Sequence, residues 1–260
     1  MRYKLLKRAL VLLLGVALAM ASGCANITDS QKTSGDLIDN DMEESSSESN
    51  PYSAIIPTDF AIPIENPYFP LNIGTIYIYD GESDEKDIKV EIYVSDQTKE
   101  IMGVETTVVR QQKWKDGELI EHTLDWYAND NKGNVWYFGS DSKEYDYDAV
   151  DIVSTVASWE AGVDGAEPRI FMGNYSQVGD VYRQEYYERG GEKELEVLSI
   201  DAPVSVEYGP FENCIQIKEL IPFNPEIEKY KYYASGVGLV LEESVMEGND
   251  RIELAEIINR

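Results

Sequence analysis

Cysteine and histidine are nearly missing from this chain. Its 260 residues hold two cysteines, Cys24 and Cys214, and one histidine, His122. That count excludes metal sites built on paired histidines or on several cysteines, and no cofactor is implied. One Cys–His pair, Cys214 with His122, is available as nucleophile and base. However, Cys214 stands in the strand-like run Asn213-Cys214-Ile215-Gln216-Ile217, where an inert packing thiol is the expectation. His122 alternates with Ile120, Leu124 and Trp126 on one face and is expected to pack half-buried rather than act as a base. A Gly-x-Ser-x-Gly elbow is lacking, and so is a phosphate-cradling glycine loop. Asp130-Asn131-Lys132-Gly133 lacks the ligand spacing of a calcium loop. No catalytic residue and no metal ligand is assigned.

Positive charge is scarce: 22 Lys and Arg stand against 49 Asp and Glu. That balance excludes a nucleic-acid partner, which needs a basic footprint. It also argues against electrostatic docking on anionic lipid. A solvated acidic surface is the expectation, with diffuse attraction for cations or basic partners.

Long apolar runs are lacking as well, apart from Ala9–Met20. Before it lie Arg2, Lys4, Lys7 and Arg8; after it comes Ala21-Ser22-Gly23-Cys24. A positive flank, a short apolar core and small residues before a cut site make a secretory signal. Twelve helical residues reach ~18 Å against a hydrocarbon core of ~30 Å, too short for a permanent span. Cys24 directly after small residues resembles a lipobox, with Ala21 in the place usually held by Leu. On this reading residues 1–23 are a cleaved lipoprotein signal. Cys24 carries the acyl chains that hold the protein to the extracytoplasmic face of the cell membrane, since two chains anchor stably where one does not. Cleavage removes four basic residues and no acid, leaving 18 against 49, a formal charge of −31. With Cys24 lipidated, Cys214 has no partner for an intramolecular disulfide, so stability must come from a core.

Residues 24–65 read as the lipidated cysteine followed by a tether. Between 25 and 50 lie seven acids, a single Lys32 and the run Ser45-Ser46-Ser47. Such a segment buries too little apolar surface to offset its ordering entropy. As a flexible coil it holds the domain on the order of 28 Å from the lipid. Pro51, Pro57, Pro63, Pro67 and Pro70 make an extended lead-in. Residues 66–260 are expected to form a single antiparallel β domain.

Eighteen tyrosines and four tryptophans suit such a domain. Ile88, Val90, Ile92 and Val94 alternate with Lys89, Glu91, Tyr93 and Ser95, the period of a half-buried strand. Asp116-Gly117 between runs 104–115 and 118–128 is a strong hairpin signal. Counting back from that turn places Trp114 opposite Leu119 and Gln111 opposite His122. Further turns fall at Asn131-Lys132-Gly133-Asn134, Gly190-Gly191, Gly209-Pro210 and Gly248-Asn249-Asp250. They separate strands at 181–188, 193–200, 203–208, 213–221, 228–234, 237–246 and 251–258. Val150, Val153, Val156, Ala157 and Trp159 suggest one helix over 146–159. The expected fold is mainly β, with at most one or two short helices: a large curved antiparallel sheet of about ten strands, half-barrel-like, with a β-sandwich as the alternative. A monomer is expected.

From about Asn66 to Glu256 the chain resembles a family of uncharacterised exported bacterial lipoproteins. The resemblance is carried by Asn66-Pro67-Tyr68-Phe69-Pro70-Leu71 with Gly74, Asp125-Trp126-Tyr127-Ala128, Gly133 to Gly139, Ser158 to Ala166, Tyr182 to Tyr187, and Lys231 to Ala234 with Gly236 to Val240. Family members continue after Ala166 with Pro-Gly and then Met-Pro, whereas this chain reads Glu167-Pro168-Arg169-Ile170-Phe171-Met172-Gly173. The resemblance implies export and a β domain, and no activity. A looser likeness, in general β pattern, is to lipoprotein-carrier half-barrels.

The aromatic residues of these stretches are the candidate ligand-binding set: Trp126, Trp136, Tyr137 and Trp159, joined by Asp164, Arg183 and Glu185. On a curved sheet, alternate residues line the concave face, where rings stack on sugars or cover acyl chains. Arg183 and Glu185 share a strand face about 7 Å apart, placed to fix a polar group or to pair with each other. The favoured function is a non-enzymatic envelope lipoprotein that binds a hydrophobic or glycan ligand, or an envelope protein, through its sheet. The alternative is a glycan hydrolase with two carboxylates ~5–10 Å apart across a cleft, to be sought among Asp125, Glu160, Asp164 and Glu185. A third reading is a structural spacer with a filled core and no pocket.

Overall fold

Tight turns dictate the architecture. In the computed structural model, residues 55–83, 85–146, 151–174, 177–185, 193–220, 228–244 and 250–260 are described, without the side chains of 182–185, 193 and 220. The signal, Cys24, the tether up to residue 54, the Gly190-Gly191 turn and Gly248-Asn249 lie outside the described residues. The strands are β1 (Thr75–Ser83), β2 (Lys86–Ile101), β3 (Val104–Lys115), β4 (Glu118–Asn129), β5 (Val135–Tyr145), β6 (Ile152–Ser154) and β7 (Trp159–Glu160). They continue with β8 (Arg169–Met172), β9 (Val181–Glu185), β10 (Lys193–Val206), β11 (Gly209–Leu220), β12 (Glu228–Ala234), β13 (Gly238–Ser244) and β14 (Arg251–Asn259). All 14 belong to one open antiparallel sheet in the order β6-β5-β4-β3-β2-β1-β14-β13-β12-β11-β10-β9, with β7 and β8 both on β5. Two meanders, one from each half of the chain, are thus joined where β1 pairs with β14. The continuous sheet fits the half-barrel expectation and not the sandwich.

Two-residue turns set the first meander. Met102-Gly103 and Asp116-Gly117 each hold both residues at positive φ, the backbone that matches the twist of the flanking strands. The strand boundaries around Asp116-Gly117 fall where the pattern puts them, but the register does not. Lys113 pairs with Glu121 and Trp114 with Leu119, leaving Ile120 as an extra residue in β4. This bulge shifts the count by one, so His122 faces Gln112 and Gln111 faces Thr123. Three other expectations are corrected. No helix occurs within the described part of 146–159; it holds β6 and the first residue of β7. Strands 193–200 and 203–208 are one strand, β10, which passes Pro203 through register shifts against β11, since proline offers no ladder N–H. The turn near Gly209-Pro210 is formed by Glu207-Tyr208, with Val206 opposite Gly209.

Alternation sorts side chains to two faces. Val109, Tyr127 and Tyr137 join a cluster that also holds Tyr77 and Tyr79 of β1, Leu195 and Val197 of β10, Ile215 and Ile217 of β11, and Tyr233 of β12. Both wings of the sheet therefore share one core, which curls the sheet around that face. Their neighbours Val108, Trp126 and Phe138 point the other way, into a smaller cluster packed against Ile55 and Phe60 of the lead-in. The lead-in is not wholly extended, for Pro57–Phe60 forms a 3-10 turn. It runs along the β4–β5 turn, where Ile64 N–H donates to the Asp130 carbonyl and Asn131 N–H to the Asp59 carbonyl.

Candidate functional site

One short segment closes against the inner face. Asn66 is fully buried. Its Nδ2 donates to the Gly133 carbonyl (2.9 Å) and the Gly173 carbonyl (3.2 Å), and its Oδ1 accepts from Tyr68 N–H at 2.9 Å. Gly236 N–H donates to the Pro67 carbonyl at 2.6 Å. These bonds pin Phe69-Pro70-Leu71 as part of the lining of a cavity of about 290 Å³ inside the curved sheet. Tyr77 and Tyr79 of β1, Gln111 of β3, Asp125 and Tyr127 of β4, and Lys231 and Tyr233 of β12 line it too.

The rings pack on each other. Tyr127 and Tyr137 stack with centroids 4.9 Å apart, and Phe69 lies 5.0 Å from Tyr127 and 4.8 Å from Phe171. Tyr137 Oη donates to Asp125 Oδ1 at 2.7 Å, and Tyr79 Oη to the Leu239 carbonyl at 3.0 Å. Burial pushes the phenols up. Tyr79 sits well above its ordinary range, and so does Tyr137, where the Asp125 charge adds to burial. Burial carries Tyr233 up to about 12. All three keep their protons at neutral pH and remain hydrogen-bond donors.

Among the described residues, Lys231 is the cation of the lining. Its Nζ lies 3.0 Å from Glu219 Oε2 and 3.6 Å from Glu242 Oε2. Burial pulls this ammonium down, and the two carboxylates outweigh it, so its pKa stands well above the usual lysine range. Glu242 lines the cavity, and Lys229 reaches it at 3.7 Å.

The structure separates the residues singled out from the sequence. Tyr137 lines the cavity. Trp159 meets Tyr137 edge-on at 5.2 Å from behind the lining. Trp126 faces the other side, with the Lys99 ammonium 3.5 Å above its ring. Trp136 is also turned away: its indole donates to Asp130 at 2.9 Å, and Phe60 meets it edge-on. Asp164 occupies an exposed turn at φ 50°. Arg183 and Glu185 lie on β9, opposite Glu194 and Lys193. Among the carboxylates considered, Asp125 lines the cavity, while Glu160 pairs with Lys99 at 2.7 Å. His122 is lowered by burial first and then by Lys143 and Arg110. The Cys214 thiol is fully buried, and burial raises it. Sequence reasoning did not pick out Tyr77, Tyr79, Tyr233, Lys231 or Glu242. The one available signal was alternation, which puts Tyr77 with Tyr79, and Lys231 with Tyr233, on single faces.

Fold and site define the chain as an open antiparallel-sheet protein that encloses a tyrosine-walled cavity. No family model and no curated protein matches it. Two solved structures are similar. One, provisionally described as an exported protein with YmcC-like fold from Bacteroides fragilis NCTC 9343, is 15% identical at a TM-score of 0.44, with 76% of this chain and 100% of that one covered. The other, provisionally described as a lipoprotein from Parabacteroides distasonis ATCC 8503, is 13% identical at a TM-score of 0.43, with 75% and 100% covered. TM-scores this low carry no function across.

Proposed function

We propose that this chain is an envelope lipoprotein, anchored through Cys24 on the extracytoplasmic face of the membrane, that binds a small ligand in its tyrosine-walled cavity without transforming it. Residues 1–23 are the signal, 24–65 the lipidated cysteine and tether, and 66–260 the binding domain. The observation that carries the binding reading is the cavity itself, with stacked rings on its walls and a few convergent polar groups, the usual composition of a ligand site. A filled spacer domain would not leave it.

Native mass spectrometry of the protein purified from its own host tests the binding reading. A co-purified small molecule is expected, and it is lost from Leu71→Trp, which places an indole in the lining. A spectrum without bound mass under gentle desolvation sinks the reading. The anchor is tested separately. Cys24→Ala is expected to leave the membrane pellet and appear in the soluble fraction; retention in the pellet after a salt wash overturns it.

A hydrolase with two carboxylates is the second reading, because Asp125 and Glu242 line the same cavity. Each is already engaged, Asp125 by the Tyr137 hydroxyl and Glu242 by Lys231 and Lys229, which favours binding over acid–base work. Glycan cleavage abolished by Asp125→Asn would reverse that preference.

A further inference from the structure

We propose that the occupant of the cavity is an organic cation, an amine or quaternary ammonium on a small apolar body. The proposal rests on the binding reading above and adds the charge of the ligand. Among the described residues, five tyrosines and two phenylalanines line the cavity. The face of an aromatic ring carries negative potential and attracts a cation held within about 6 Å of its centroid. The lining's ionisable groups point the same way. Among the described residues it holds the carboxylates Asp125 and Glu242 against the one ammonium of Lys231. That ammonium offers little to an incoming anion, since Glu219 and Glu242 hold it at 3.0 and 3.6 Å. Among the described residues, counting Glu219 and also Lys229, which reaches Glu242 at 3.7 Å, the set has three carboxylates to two ammoniums.

Each competing ligand class meets an obstacle. An anion would face Asp125 and would have to compete with two carboxylates for Lys231. An acyl chain would lay methylenes against the polar groups of Asp125, Gln111 and Glu242, none of which it can hydrogen-bond. A cation sets its charge near Asp125 and lays its body on the rings of Tyr127 and Tyr137. The volume, about 290 Å³, is at the small end for ligand pockets. The acidic surface works with this choice, because it raises the local concentration of cations around the molecule.

The test uses the whole chain purified from membranes and three water-soluble probes of one shape: choline, 3,3-dimethylbutan-1-ol and 3,3-dimethylbutanoate. Affinities are read by calorimetric titration. Choline is expected to bind at least tenfold more tightly than the alcohol, and the carboxylate more weakly than either. Asp125→Asn, which keeps an acceptor for Tyr137, is expected to weaken choline at least fivefold and leave the alcohol unchanged. Glu242→Gln, which leaves Lys231 its Glu219 partner, is expected to act in the same direction. An alcohol or carboxylate that binds as tightly as choline overturns the cation and leaves the cavity standing as a ligand site. Failure of all three probes to bind also overturns the cation, and bound mass in the native spectrum then decides the fate of the site separately.

Discussion

Two buried polar side chains organise the entrance to the domain, Asn66 through backbone groups and Asp130 through backbone and side-chain donors. Asn66 ties two carbonyls and one N–H from three parts of the chain. Asn66→Ala strips partners from groups that stay buried, each at a cost of roughly 1–3 kcal/mol. A loss of about 2–4 kcal/mol is expected, read as a lower urea midpoint at unchanged slope. Asp130 does similar work for the turn before β5. Its carboxylate accepts from Lys132 and Asn134 N–H, from the Asn134 amide and from the Trp136 indole. Burial alone would raise this carboxyl; the four donors outweigh it and hold the group below the ordinary aspartate range. That role explains why Trp136, so prominent in the sequence, is not a cavity residue. Which side of a strand a tryptophan takes follows from register, and here the bulge at Phe138 intervenes: Trp126 faces Gly139 while Tyr127 faces Tyr137.

At the scale of strands, glycines mark the closest approaches. A Cβ on Gly81 would collide with the Arg251 carbonyl oxygen, in the pairing of β1 with β14. Gly81→Ala is expected to cost about 1–3 kcal/mol, as overpacking does. Amide exchange should quicken at Glu82 and Ile252 before it does in the β2–β3 hairpin; uniform exchange would contradict a local origin. Much at this scale was legible. The period-two run from Ile88 to Val94 and the Asp116-Gly117 turn placed β2, β3 and β4, and 228–234 matches β12 in full. What was not legible has local causes. Met102-Gly103 makes the same kind of turn as Asp116-Gly117 without an Asn or Asp to announce it. The spacing of Val150, Val153 and Val156 imitates a helix, yet β6 pairs with β5 at an open sheet edge where Ile152 and Val153 stay exposed. Nothing in a short window can report that β14 returns to β1.

Among the described residues, buried phenols and the half-buried Lys231 ammonium make alkali the vulnerable direction. Tyr79, Tyr137, Tyr233 and Lys231 all hold protons more tightly folded than unfolded. A group whose folded pKa is raised contributes its stability in full below the unfolded value and loses it as pH climbs through the folded one. The unfolded values lie near 10 for tyrosine and about 10.4 for lysine. Stability is therefore expected to hold to about pH 10 and then fall through the region near 12 where Tyr233 titrates. Tyrosinate absorbance should rise in two stages, exposed rings first and buried rings together with loss of structure. A single smooth titration would show that the core tyrosines are not shielded.

The seam between β1 and β14 also sets a timetable. β14 follows every other described strand in sequence, yet it is an interior strand of the finished sheet, flanked by β1 on one side and β13 on the other. Until Arg251–Asn259 arrives, each half is a fan with a raw border, β1 on one and β13 on the other, and raw borders are where neighbouring chains adhere. The two fans thus cannot be knit together until the strand most distant from β1 in sequence is free to lie beside it.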